Sequence, residues 1–139
     1  MAVKWHLPDE EDADRALGLL APFEQGTIDF VAPYHIRYEV GSALSVATIG
    51  RSPRVPRDQG ETAMAEFLAL PIKTYADEPL LPAAFALVHL HGCAFYDALY
   101  LALAQRLKIP FVTADRKLLR RIDHLPSILP LSDFPASAA

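Results

Sequence analysis

Apolar residues recur along this chain at two periods in turn, helical over the longer stretches and strand-like over the short ones. DEEDADRALGLLAPF crowds acids ahead of Ala16, Leu17, Leu19 and Leu20. Acids at a helix start suit the macrodipole, so the pattern predicts a helix opened by Pro8. A second helix is predicted over 33–49, where Ile36, Val40, Ala43, Leu44 and Ala47 form one stripe. Further helices are expected over 58–69, over 80–90 with Gly92 as the stop, and over 114–121. The run over 95–107 is apolar nearly all round, which predicts burial on more than one side. Short apolar runs at 28–32, 72–75, 109–113 and 128–131 read as strands. The closing SDFPASAA is expected to fray after about residue 132. Strands alternating with helices predict an α/β sandwich, a mostly parallel sheet flanked by helices. In such sheets ligands bind outside the carboxyl ends of the strands, and Asp115 follows one such end.

Size and composition narrow this picture. The 139 residues suit a single domain, and 52% apolar content supplies a full core without staples. One cysteine, Cys93, permits no internal disulfide and suits a reducing cytosol, hence a cytoplasmic location. No apolar run is long enough to span a bilayer, and MAVKWHLPDEEDAD turns acidic with no signal-peptide core. The formal net charge is −4, so the protein as a whole does not attract nucleic acid. Two segments are nonetheless basic: Arg51, Arg54 and Arg57 in a Pro-rich loop, and Arg116, Lys117, Arg120 and Arg121 just after Asp115. The first reads as solvated loop. The second reads either as solvated surface or as a strip that tracks a phosphate backbone.

Three acids stand out by position. Glu39 borders the apolar stripe of its helix, Asp97 opens the apolar helix beside Tyr96, Tyr100, Leu103 and Leu107, and Asp115 follows the strand FVT. Singly, each has an ordinary structural explanation: a helix-dipole partner for Asp97, an N-cap for Asp115, an ion pair for Glu39. If the fold gathers them, their charges repel, and a divalent cation is the simple remedy.

The same segments carry a resemblance. YEVGSAL, FYDALYLALAQRL and FVTADRKL, in that order, resemble the PIN-domain ribonucleases, specifically the VapC-type toxins of prokaryotic toxin–antitoxin pairs. The resemblance implies a PIN-like fold over residues 1–139 and a metal-dependent endoribonuclease activity. It implies Glu39, Asp97 and Asp115 as metal-binding catalytic acids, with Mg²⁺ or Mn²⁺ as cofactor. Thr113 is implied in orienting a carboxylate or water, and Ser42 stands where many relatives carry Asn. Arg116, Lys117 and Arg120 become candidates for the RNA backbone; Tyr34, Trp5 and Tyr38 are candidates for base stacking, but Trp5 and the tyrosines read first as core or interface residues. An antitoxin protein and a second copy of the chain are the implied partners. One departure is expected to matter. The family opens with an apolar strand ending in Asp ahead of a segment like AVKWHLPDE, and here that segment starts at Ala2. The expectation is an N-terminal truncation or a misassigned start, with one metal-binding acid and a central strand missing.

Other chemistries have less in their favour. The five histidines share no metal-ligand spacing, and His89 and His91, two apart, face different sides of a helix. Cys93 has no histidine placed by sequence to activate it, and no Gly-rich phosphate loop is present. A non-catalytic PIN-like module that binds RNA or protein is one alternative. A phosphatase forming an acyl-phosphate on Asp115 is another, ranked last because no strong early strand ends in Asp.

Overall fold

In the computed structural model, which describes residues 1–7 and 9–137, helices and strands alternate as the pattern predicts. After a 3₁₀ turn at Ala2–Trp5 come α1 (Ala13–Glu24), β1 (Val31–Pro33), α2 (Ile36–Thr48) and α3 (Arg57–Ala69). Then follow β2 (Lys73–Tyr75), α4 (Leu81–His91), α5 (Phe95–Leu107), β3 (Phe111–Thr113), α6 (Arg116–Ile122) and β4 (Ile128–Pro130). The expected α/β class is therefore the observed one.

The sheet is less unified than expected. β1 pairs with β2 in parallel, Ala32 opposite Thr74, and β3 pairs with β4 in parallel, Val112 opposite Leu129. The two pairs form separate sheets among the described residues. A ladder needs strands about 4.8 Å apart. Here Val31 of β1 and Phe111 of β3 each rest instead on the core that α5 organises.

That core explains α5. Ala98, Leu99, Leu101, Ala102, Leu103 and Ala104 are all buried, so the helix is covered on several sides, as its continuous apolar character predicts. Small residues let neighbours come close: Ala84 of α4 and Ala98 of α5 are both fully buried. Each buried leucine of this helix is worth about 2–5 kcal/mol against truncation to alanine. Gly92, at φ 66°, ends α4 in the left-handed conformation that glycine adopts without strain.

Two expectations fail locally. The first helix starts at Ala13, not at residue 9, and Pro8 lies outside the described residues. Asp12 turns left-handed at φ 59°, and the acids ahead of it are drawn to distant bases. Arg54 holds Asp9 at 2.8 Å and Glu10 at 2.9 Å, and Arg116 holds Glu11. Four adjacent acids repel one another in a helix, and these contacts favour an irregular turn. The expected frayed tail is also tied down through Ser137. Arg15 donates to the carbonyls of Ser132 and Phe134, and Ser137 N donates to Asp14 O at 2.9 Å. A Cβ on Gly18 would come within 2.6 Å of Pro135 O, so glycine is what lets this segment lie on α1.

Candidate active site

Parallel strands deliver their following residues to one end. His35 and Glu39 come just after β1, Asp77 just after β2, and Asp115 just after β3. Asp97 reaches the same end from the first turn of α5. This is where the strand-end rule places a ligand crevice.

Asp97 is the acid whose environment is least comfortable. Its carboxyl is pushed above the usual carboxylate range, first by burial, then by the charges of Asp115 and Glu39, with His35 opposing. Asp115 and Glu39, also singled out from the sequence, therefore both lie near enough for their charges to reach Asp97. Asp97 makes no hydrogen bond within the protein among the described residues, so its oxygens remain available.

The other two are held. Asp115 is the N-cap of α6: its Oδ1 accepts from Lys117 N at 2.9 Å and Leu118 N at 3.0 Å. Thr113 is buried, and its hydroxyl accepts from Asp115 N at 3.1 Å. It thus fixes the turn that aims Asp115. Glu39 is half-exposed and clamped from two sides. Its Oε1 lies 2.7 Å from His35 Nε2, and its Oε2 accepts from the Tyr100 hydroxyl at 3.2 Å. Burial and the neighbouring Glu39 charge push the Tyr100 phenol up, so it remains a donor. Ser42 is exposed on α2, one turn past Glu39.

Oxygen-only donors of this kind suit a hard divalent ion rather than zinc. Asp97 and the free Oδ2 of Asp115 supply unengaged acceptors, and the mutual repulsion felt at Asp97 is what a cation relieves. The arrangement is nonetheless open. Among the described residues no three His, Cys, Asp or Glu side chains close around a common point. A surface concavity of about 240 Å³ lies elsewhere, lined by Trp5, His6, Asp58, Thr62 and Glu66, and holds none of the three acids.

The basic residues divide. On α6, Arg116, Lys117 and Arg120 are exposed directly behind Asp115, with Arg116 paired to Glu11. Arg54 of the Pro-rich loop is held by Asp9 and Glu10, and Arg57, which opens α3, by Glu61; both arginines are exposed, in keeping with the reading of that segment as surface. Of the stacking candidates, Tyr34 and Tyr38 are exposed and lie edge to face, 6.0 Å apart. Trp5 is half-buried, donates to Ala16 O at 2.8 Å and packs on Phe30, so it belongs to the core. The Met1 amine is buried, which pushes its pKa down, with Glu39 among the charges that oppose the shift.

Sequence reasoning passed over His35 and Asp77. His35 Nδ1 lies 3.0 Å from Asp77 Oδ1, and the ring sits 4.9 Å from Tyr100 and 5.5 Å from Tyr96. A signal existed, because His35 and Glu39 are four apart at a helix start and so share a face. Asp77, from a distant strand end, gave none.

A family model described as PIN domain matches residues 2–125. Ribonuclease VapC3 of Pyrobaculum aerophilum is 32% identical over 126 residues, 86% of this chain and 88% of that protein. Ribonuclease VapC12 of Mycobacterium tuberculosis is 30% identical over 93 residues, 67% of this chain and 69% of that one. Ribonuclease VapC1 of the same organism is 34% identical over 87 residues, 63% of each. The chain therefore belongs to the PIN domain family, and VapC-type ribonucleases are among its relatives.

Proposed function

We propose that this chain is a divalent-metal-dependent endoribonuclease, the toxin of a type II toxin–antitoxin pair, acting in the cytoplasm. The observation that carries the reading is the upward push on Asp97 by burial, Asp115 and Glu39 at the carboxyl end of the strands. Glu39, Asp97 and Asp115 would hold Mg²⁺ or Mn²⁺. When bound, such an ion supplies Lewis acidity at the scissile phosphodiester. Asp115 presents its free oxygen because Lys117 N and Leu118 N fix the other. Asp97, with no donor in the protein, is the carboxylate free to take a proton from an attacking water. Water adds to phosphorus, one P–O bond breaks, and the leaving oxygen takes up a proton. Arg116, Lys117 and Arg120 hold the backbone phosphates on either side of the cut. The exposed tyrosines beside the acids, Tyr34, Tyr38 and Tyr96, suit unstacked bases. The antitoxin would place a basic side chain among the three acids, and two copies of the chain would pair as a homodimer.

The alternative is a PIN-like module that binds RNA or a protein without cutting. The open arrangement of the acids, with no three closing on one point among the described residues, favours it. RNA cleavage by the folded chain in Mg²⁺ and in EDTA, beside Asp97→Asn, separates the two. Metal-dependent cleavage that vanishes in the variant supports the nuclease, and intact RNA in every lane supports the binding module.

A further inference from the structure

The chain carries a buried histidine bridging two carboxylates that none of the chemistry above uses. His35 is 6% exposed and follows β1 directly. Its Nδ1 is hydrogen-bonded to Asp77 Oδ1 at 3.0 Å, and its backbone N donates to the same oxygen at 3.3 Å. Its Nε2 stands in ion-pair contact with Glu39 Oε1 at 2.7 Å and, among the described residues, is buried with no hydrogen-bond partner. Tyr96 and Tyr100 close over the ring. Asp77 is itself 27% exposed at the side chain and makes no other side-chain hydrogen bond among the described residues.

Burying an imidazole between two anions has a cost in desolvation, and a helix-start residue has no need of it. The geometry gives it a use. A carboxylate on a helix start has free χ angles, and Glu39, unlike Asp115, has no backbone donor among the described residues to hold it. Two constraints fix it: the Tyr100 hydroxyl on Oε2 and the His35 ring on Oε1. The ring is in turn fixed by Asp77, which comes from the other strand of the β1–β2 pair. The chain Asp77–His35–Glu39 thus transmits the register of two strands to one carboxylate.

We propose that His35 is a positioning residue, locked by Asp77, that aims the Glu39 carboxylate at Asp97 and Asp115 and so sets the affinity of the three acids for a divalent cation. This rests on the metal reading of the site given above. Outer partners of ligating groups typically change metal affinity about 10–100-fold when removed.

The test is Mn²⁺ binding to the full chain without RNA, read as free Mn²⁺ by electron paramagnetic resonance, with thermal melting in EDTA as a check of folding. Glu39→Gln is measured beside His35→Leu, His35→Gln and Asp77→Ala. The expected result is a Kd raised about 10-fold or more in His35→Leu and Glu39→Gln, and less in Asp77→Ala. His35→Gln, whose amide can keep a polar contact with Glu39, should recover most of the affinity. If His35→Leu does not fold, Asp77→Ala, which leaves the ring packed between the tyrosines, decides the matter alone. Wild-type affinity in folded His35→Leu or Asp77→Ala, while Glu39→Gln is weakened, overturns the positioning role and leaves the metal site standing. Unchanged affinity in Glu39→Gln overturns the metal reading itself. Equal loss in His35→Leu and His35→Gln would also overturn the proposal, because ring packing rather than the polar contact with Glu39 would then be what matters.

Discussion

Replacing Asp97 by Asn should make the metal-free protein more stable while abolishing cleavage. Asp97 is partly buried, lacks a donor, and faces two like charges, Asp115 and Glu39, against one opposing group, His35. Its folded pKa is raised, so between the unfolded carboxyl pKa and the folded one the folded state binds more protons. Stability is therefore lost as pH rises through that window and stays lowered above it. Asn has the same shape and no charge. Partly exposed charge interactions are worth about 0.2–1 kcal/mol each, and with two repulsions and one attraction removed the net gain should be about 0.5–1 kcal/mol at neutral pH. For a domain of this size that corresponds to a rise in Tm of about 2–6 °C. Scanning calorimetry in EDTA from pH 7.5 downward checks it. The difference between variant and wild type should shrink towards zero well below about pH 4, where Asp97 is protonated in the folded and the unfolded state alike. In millimolar Mn²⁺ the order should narrow or invert, because an ion bound only by the folded wild type adds stability by mass action. A variant less stable than wild type in EDTA at pH 7.5, or a gain undiminished at low pH, would refute the account of Asp97.

Four further outcomes are expected. Asp115→Asn should keep the α6 cap and the wild-type Tm but lose cleavage, whereas Asp115→Ala should lose cleavage and about 1 kcal/mol of stability, measured by urea unfolding. Gly60→Ala should destabilise, because the new Cβ meets Thr48 Cγ2 at 2.6 Å where α3 crosses α2. In a Thr48→Ser background, which removes that methyl, the same change should become neutral or stabilise by up to about 1 kcal/mol, so a double-mutant cycle isolates the contact. Gly92→Ala should cost about 1–2 kcal/mol through its left-handed φ of 66° and the Arg121 guanidinium 2.8 Å from the new Cβ, and should lower Tm without changing the melting profile's cooperativity. Lys117→Ala with Arg120→Ala should raise KM for RNA and flatten its salt dependence by about one to two counterions, leaving kcat near wild type, in steady-state cleavage at several salt concentrations.

Much of this protein was legible in its sequence. Helical and strand periods placed, to within a few residues, the α-helices and strands seen among the described residues, because burying a stripe or a short apolar run depends on local spacing. The burial of α5 on several sides followed from its lack of a polar face. The places of Glu39 and Asp97 in the first turns of their helices, and of Asp115 after a strand, were also legible, since local spacing sets them. What the tertiary structure decided was which groups face one another. The start of α1 moved to Ala13 because Arg54 and Arg116, far off in sequence, draw the acids ahead of it. The sheet divided into two pairs because strand pairing is a long-range contact that three-residue strands cannot announce. Thr113 proved to shape the Asp115 turn, and Glu39 proved to be held by Tyr100 and by a histidine anchored on Asp77, 42 residues away. Periodicity reports the face a side chain occupies. Only packing brings two faces to the hydrogen-bonding distance at which one carboxylate can fix another.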